Sequence, residues 1–372
     1  MSVLRRLVYR EVITAVALVS VAFLGLFFFF DVIDELSSIG QVSPINPQDV
    51  YQLRHALLYV LLQMPNRAYE VLPIAVLIGA VWVFARLAQN SEFTILRTGG
   101  LGPWRALRML LGLGWLFVGL TFVTGDYVAP AAGQAAQLLK ARFEGRVYVG
   151  PVGAWLKERR PDGTASVNVG SLSDKGDMQG IRIFEYGPNG HVLARTQAAS
   201  GTIGADNTWQ LREVVRTEVS TGPGGAPQVV RLEVPVFAWP SALTAEMVSV
   251  ALLRPDRMGT VALYRYVEHL GSTGQSAQTY ELQFWRKVFY PLSCLVMLVM
   301  ALPFAYLHFR SGGITGYVFG GVMMGISFFL LNNVFGYIGR LNDWTPWLAA
   351  ASPSLIYSVL SLSAFGWLVL RR

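Results

Sequence analysis

Long apolar runs separated by short polar breaks occupy both ends of the chain, and a different pattern fills its middle. Six runs stand out: Val12 to Phe30, Val71 to Ala85, Met109 to Gly125, Val288 to Leu307, Ile314 to Ile338 and Trp347 to Leu370. Most approach or exceed the roughly 20 residues that cross a hydrocarbon core at 1.5 Å per helical residue. The pattern therefore predicts six transmembrane helices. The second run is short between Glu70 and Arg86 and is expected to continue as helix through both. Ala56 to Met64 is apolar but stops at Pro65, Asn66 and Arg67, and reads as an interfacial helix rather than a seventh span.

Between the third and fourth runs, about Ala131 to Tyr280, helical spacing gives way to alternation. Ile181-Arg182-Ile183, Trp209-Gln210-Leu211-Arg212 and Val230-Arg231-Leu232-Glu233-Val234 alternate apolar and polar residues as half-buried strands do. Gly187-Pro188-Asn189-Gly190 signals a hairpin turn, and Gly222 to Pro227 a loop. Short strands at this spacing suggest a sandwich, jelly roll or barrel. Gly259 to Leu270 returns to helical spacing, with Gly271 to Gln275 as its stop. The expected organisation is thus helices one to three over 1–130, an all-β, jellyroll-like domain over 131–258, and a linker helix with helices four to six over 259–372.

Composition agrees with a membrane as solvent: 53% hydrophobic and 14% charged residues in 372, with a mean hydropathy of +0.43. The net charge of +7 does not imply nucleic acid, because the basic residues sit at the ends of apolar runs and form no stripe. Their placement instead sets orientation. Arg5, Arg6, Arg10, Arg86, Arg97, Arg105, Arg108, Arg310, Arg371 and Arg372 fall on one side, against Arg54, Arg67 and Arg340 in the opposite short loops. By the positive-inside rule both termini are cytoplasmic and the strand-rich insertion lies outside. The first run imitates a secretory signal but is too long and lacks a small-x-small cleavage site before Asp31, so it reads as an uncleaved helix.

Enzymatic chemistry finds no foothold. The sole cysteine, Cys294, allows no internal disulfide, and His55, His191, His269 and His308 share no metal-ligand spacing. No P-loop, G-x-S-x-G elbow or H-E-x-x-H pair occurs. No catalytic residue, metal site or cofactor is expected in this chain. Asp31, Asp34, Glu70 and Asp126 fall at outer helix ends, where water reaches a carboxylate, rather than at mid-membrane where a proton relay needs them.

Three other features carry more information. In the loop after the second run, Asn90 or Ser91 can cap a short helix with Glu92 in its first turn, Phe93 and Leu96 on one side, and Gly99 and Gly100 at its end. Such a helix either fits a groove on a soluble partner or lies on the surface alone. Gly312, Gly316 and Gly320 repeat every four residues on the fifth run, with Gly321 and Gly325 on a neighbouring face; small residues at this spacing admit a close helix from this chain or another. Phe27, Phe28, Phe29 and Phe30 surround the outer end of the first helix, as an aromatic belt or against a bound lipid.

These residues resemble the LptF/LptG permease family of the lipopolysaccharide export transporter, the LptG branch more than LptF. The likeness spans almost the whole chain. It rests on LAQNSEFTILRTGG (Leu87 to Gly100), GAWLK (Gly153 to Lys157), YRYVEHLGSTGQ (Tyr264 to Gln275), YELQFWRKVFYPLS (Tyr280 to Ser293) and the Pro346 and Pro353 pair. The resemblance implies a permease subunit of an ABC transporter in the inner membrane of a Gram-negative bacterium, with the β-domain periplasmic. It implies pairing with an LptF-like permease around a cavity for lipopolysaccharide. A dimer of LptB-like ATPases, which uses ATP and Mg, would grip Ser91, Glu92, Phe93, Leu96 and Arg97. An LptC-like single-span protein would stand beside a lateral gate, and an LptA-like bridge would receive the lipid. With gates between the first helix of one permease and the fifth of the other, Phe27, Phe28, Phe30, Gly316 and Gly320 become substrate-facing candidates.

One departure from the family concerns charge. Relatives often carry lysines near the outer end of the first helix, placed for lipid A phosphates, whereas Asp31, Asp34 and Glu35 stand here. An acidic end repels phosphate unless a divalent cation bridges it, and Asp31 is itself counted among the substrate-binding candidates. Lys140, where relatives place a basic residue, is a substitute candidate, as are Arg142, Arg286 and Lys287 by side and depth. Two rivals remain: the sibling LptF subunit, and a non-transporting membrane-anchored scaffold whose β-domain binds an outer partner.

Overall fold

The computed structural model of the protein describes residues 2–42, 49–90, 92–93, 95, 102–144, 147–148, 154–172, 177–204, 208–221, 227–244, 247–248, 258–273, 276–306, 314–341 and 344–367. Two compact units emerge. One comprises Met1–Asp34, Val60–Ala132 and Gln278–Arg372; the other comprises Glu35–Tyr59 and Gly133–Ala277.

The first unit is helical. Its principal elements are α1 (Ser2–Leu36), α2 (Leu53–Gln89), α3 (Pro103–Val123), a π-helical turn (Thr124–Val128), α6 (Gln278–Phe289), α7 (Ser293–Ala301) with a 3-10 turn (Leu302–Tyr306), α8 (Ile314–Leu341) and α9 (Pro346–Phe365), and α4 (Ala129–Glu144) follows the π turn with most of its length in the second unit. Among the described residues, five helices are long and apolar enough to cross a membrane, and α6 with α7 makes a sixth span if the pair, bent by 44°, is taken as one. Helix ends overrun the apolar runs. The helix of α1 is 35 residues long, about 52 Å at 1.5 Å per residue, well beyond the hydrocarbon core.

Helix α2 departs from expectation: Ala56 to Met64 is not a separate helix, because Leu53–Gln89 runs unbroken through Pro65 and Pro73. Each proline removes one backbone bond and disfavours an isolated helix by about 3 kcal/mol, so packing must hold α2 straight on. It does. Within its apolar stretch 78% of residues are buried inside the chain, against 17% for α1 and for α8. Ala75, Val76, Leu77, Ala80, Val81 and Phe84 of α2 form the middle of the core, joined by Val12 and Val16 of α1, Leu110 and Leu113 of α3, and Met297 and Leu298 of α7.

Helices α1 and α2 form an antiparallel pair closed at three levels. Glu11 pairs with Arg86 near one end, Asp31 with Arg67 near the other. Between them Gly79 lets α2 approach α1 so closely that a Cβ there would lie 2.8 Å from the Val16 backbone nitrogen. Residues 11 and 31 are about 30 Å apart along a helix, the thickness of a hydrocarbon core. The two ion pairs are thus separated by about the thickness of a hydrocarbon core.

The second unit is built on one antiparallel sheet of eight strands: β1 (Val147–Tyr148), β2 (Ala154–Arg160), β3 (Gly163–Val169), β4 (Ser171–Leu172), β5 (Met178–Tyr186), β6 (Val192–Ile203), β7 (Thr208–Thr221) and β8 (Pro227–Pro240). The path β1-β4-β5-β6-β7-β8 carries β3 on β5, and β2 on β3. The predicted turn falls between β5 and β6, with Gly190 at φ +77°, where glycine has no Cβ penalty. The partners Trp209 and Trp239 meet edge-on at 5.4 Å. They donate from their indole nitrogens to the Leu243 carbonyl and to Glu185 respectively, both at 3.1 Å. Helix α5 (Thr260–Thr273) belongs to the same unit. Strand β8 does not bury the face its alternation suggests. Val230, Leu232, Val234 and Val236 are all exposed; β8 is paired along the path with β7 alone, and Pro235 suits such an edge. The expected loop at residues 222–226 lies outside the described residues.

The glycines of α8 predict a contrast. A Cβ at Gly325 would lie 2.7 Å from Ile74, whereas one at Gly320 meets nothing within 4 Å. Gly325→Val should therefore destabilise the helical unit by about 1–3 kcal/mol through overpacking, seen as a lower thermal unfolding midpoint in detergent. Gly320→Val should leave that midpoint unchanged.

Candidate functional site

The substrate-facing candidates of the helical unit lie on α1, α6 and α8. On α1, Phe27 is partly buried against the core, Phe28 is half-buried, and Phe29 and Phe30 are more than half exposed. On α8, the glycine pattern splits into two faces. Gly321 and Gly325 pack on Val81 and Ile74 of α2, while Gly316 and Gly320 have no atom within 4 Å of an added Cβ. Gly312 lies outside the described residues.

The charges near these helices are held in place. Asp31 accepts from Arg67 Nε at 3.1 Å and Nη2 at 2.9 Å, and the guanidinium covers the Phe27 ring at 5.2 Å. Arg67 Nη1 stands 3.8 Å from Glu70, whose carboxylate also accepts from Asn66 at 3.1 Å. Arg286 and Lys287, adjacent on α6, reach in different directions. Arg286 lies over Gly336 and donates to the Asn332 carbonyl of α8 at 2.5 Å. Lys287 is buried and donates to the Gly125 carbonyl of the π-helical turn at 2.8 Å. A π turn frees carbonyls from the regular ladder, and Lys287 fills one of them. Tyr290 donates to the Glu70 carbonyl at 2.5 Å.

Two further candidates belong to the sheet-containing unit. Lys140 of α4 contacts both oxygens of Glu35, at 3.1 and 3.2 Å, over the Tyr59 ring at 4.7 Å. Glu35 is buried and accepts also from Tyr51 at 3.1 Å. Arg142 follows on α4, with its side chain outside what the structure describes.

In the loop after α2, Glu92, Phe93 and Ile95 are helical, whereas Ser91, Leu96 and Arg97 lie outside the described residues. Asn90 donates to Glu92 at 3.2 Å. Phe93 is buried in the helical core, edge-on to Tyr306 at 5.0 Å. Glu92 is exposed, as is Ile95. The segment is pinned by one aromatic ring and offers an acid and an aliphatic side chain outward.

The protein-family model described as "Lipopolysaccharide export system permease LptF/LptG" matches residues 6–371. This chain belongs to that family. The LptG permease proteins of Escherichia coli K12 and Haemophilus influenzae are similar to it. The first is 28% identical over 373 residues, covering 100% of this chain and 98% of the relative. The second is 24% identical over 372 residues, covering 99% and 98%.

Sequence reasoning within this family pattern missed Arg67 and Ile95. Arg67 was legible as a basic residue opposite the first helix's acidic end, but its pairing with Asp31 needed the α1–α2 register. The sequence places Phe93 with Leu96 on one side of a short helix, and in the structure the Phe93 ring packs into the helical core. Phe93→Ala should lower stability by about 3 kcal/mol, read as a drop in the unfolding midpoint, while Glu92→Ala should leave the midpoint unchanged. Equal midpoints for the two variants would contradict this division of the loop.

Proposed function

We propose that this chain is the LptG-type permease subunit of an ATP-driven exporter that extracts lipopolysaccharide from the inner membrane and passes it to a periplasmic bridge. The observation that carries the reading is the uneven cover of its spans. Helices α1 and α8 leave most of their apolar surface open, with 17% buried in each, and the open parts hold Phe29, Phe30, Gly316 and Gly320. One chain then forms half a cavity wall, and an LptF-like partner supplies the other half. An LptC-like single-span helix stands beside the gate so formed, and an LptA-like bridge takes the lipid from the outer side. Both termini are cytoplasmic and the sheet domain is periplasmic in this reading, in accord with the distribution of basic residues.

Work enters from the cytoplasm. An LptB-like ATPase dimer, with ATP and Mg as its own, holds the loop at Glu92 and Ile95, and the chain itself catalyses nothing. Each acyl methylene leaving an apolar cavity gives up about 0.8 kcal/mol, so a lipid with several chains needs such an external source. Narrowing of the cavity removes these contacts together. Lys140, Arg142, Arg286 and Lys287 contribute positive charge on the side where the phosphates travel.

A photocrosslinker at Phe28 or Gly320, in the assembled complex, should capture lipopolysaccharide in a manner that changes with ATP. A membrane-anchored scaffold would capture none. Glu92→Ala should reduce co-purification of the ATPase while the permease pair stays intact. Unchanged recovery of the ATPase would remove Glu92 from that contact.

A further inference from the structure

The π-helical turn that ends the third span has a local cause just beyond it. Pro130 carries no backbone N–H, and in a regular helix its ring would press on the carbonyl of Asp126, four residues earlier. The chain widens instead, and the Ala129 N–H reaches back five residues to the Thr124 carbonyl. In that register the Gly125 carbonyl falls to residue 130, which has nothing to donate. Lys287 of α6 supplies the missing hydrogen at 2.8 Å. Gly125 is buried, where an unmet carbonyl is costly, so the ammonium supports the π register and the π register holds the ammonium. Below the turn α3 is fastened: Thr121 Oγ1 stands 3.3 Å from Cys294 Sγ of α7, both fully buried. The span that supplies Lys287 is itself broken. Helices α6 and α7 meet at a 44° bend that includes Pro291, with Lys287 one turn before it. Tyr290, at the bend, lies 4.9 Å from the Tyr69 ring, the same ring that a Cβ at Gly125 would overlap. Two irregular points in neighbouring spans are thus joined by an ammonium and a pair of rings.

We propose that Thr124–Val128 is a two-register hinge in the third span, held in the π register by the Lys287 ammonium and released when a change in the α6–α7 bend draws that ammonium away. On release the Gly125 carbonyl takes the Ala129 N–H as its replacement donor, which restores the four-residue ladder at that point. Residues beyond the turn then rotate by about 100° and advance by about 1.5 Å, the step of one helical residue. The part of α3 before the turn stays fastened to α7. Pressure of Pro130 on the Asp126 carbonyl opposes the released register and favours return of the π turn, a kind of irregularity that recurs at functional sites. The use of this hinge in the export cycle rests on reading the chain as a lipopolysaccharide permease. Bending of the fourth span is there converted into rotation at the outer end of the third.

The test follows the complete transporter in nanodiscs by maleimide labelling of single cysteines introduced at Val128, which is exposed, or at Ala129, which is buried. Native Cys294 is buried and does not compete. In the released register each residue takes the angular place of its successor. Lys287→Met should therefore lower labelling at position 128 and raise it at position 129, each several-fold. Pro130→Ala, which removes the cause of the wide turn, should act in the same direction. Lys287→Arg keeps a donor and should leave both rates near those of the unaltered chain. Rates that neither Lys287→Met nor Pro130→Ala moves would overturn the hinge. Deletion of Tyr127 combined with Pro130→Ala removes the extra residue and locks one register without turning the helix beyond. That variant should keep its thermal unfolding midpoint and lose ATP-driven release of lipopolysaccharide, whereas deletion of Leu116 from the regular part of α3 should lower the midpoint strongly. If the Tyr127 deletion is as disruptive as that of Leu116, or exports at the unaltered rate, the turn is no hinge and the idea falls. Absence of ATP-driven release from the unaltered complex would instead refute the permease reading, with the labelling rates still deciding the hinge.

Discussion

A bilayer supplies apolar contact without hydrogen bonds, so every polar group inside the helical unit has to be answered by the protein itself. Helix α6 shows how this constraint organises the fold. Arg286 and Lys287, adjacent in sequence, end on backbone carbonyls of α8 and of the π-helical turn. Tyr290, just beyond, ends on a carbonyl of α2. Three neighbouring elements are thereby braced from one short helix. The turn at Thr124–Val128 fits the same logic, since its irregular ladder offers a carbonyl to Lys287, and Gly125 leaves room for the Tyr69 ring, which a Cβ would overlap.

Apolar cover is distributed unevenly over the helices. Helix α2 takes the centre, and this is why two prolines do not break it. Helices α1 and α8 stay at the margin and meet α2 through glycines, Gly79 beneath Val16 on one side and Gly325 and Gly321 on Ile74 and Val81 on the other. The remaining surface of both helices is apolar and open.

The helical architecture was legible because apolar run length is set by membrane thickness, and the runs starting at Val12, Ile314 and Trp347 approach or exceed the roughly 20 residues a span needs. Strand identity in β5 and β7 was legible from alternation. What local pattern does not contain is partnership. Pro65 signals a break when read alone, and the burial that overrides it comes from α1, α3 and α7. The valines of β8 alternate as if half-buried, yet an edge position leaves them uncovered. Among site residues, the phenylalanines and glycines were found by type and spacing. The contacts of Asp31 with Arg67 and of Lys140 with Glu35 link residues 36 and 105 positions apart, beyond the reach of any periodicity.

The seating of Phe93 on Tyr306 bears on how motion crosses this protein. A loop attached by its ends alone would absorb a displacement by flexing, and the far side would feel it late or not at all. Here an aromatic contact joins the middle of the loop to the last turn of the bent α6–α7 span, whose other end carries the Arg286 and Lys287 braces. The segment after α2 is therefore tied through one ring to the span that also holds α8 and the π-helical turn, as by a short crank rather than a string.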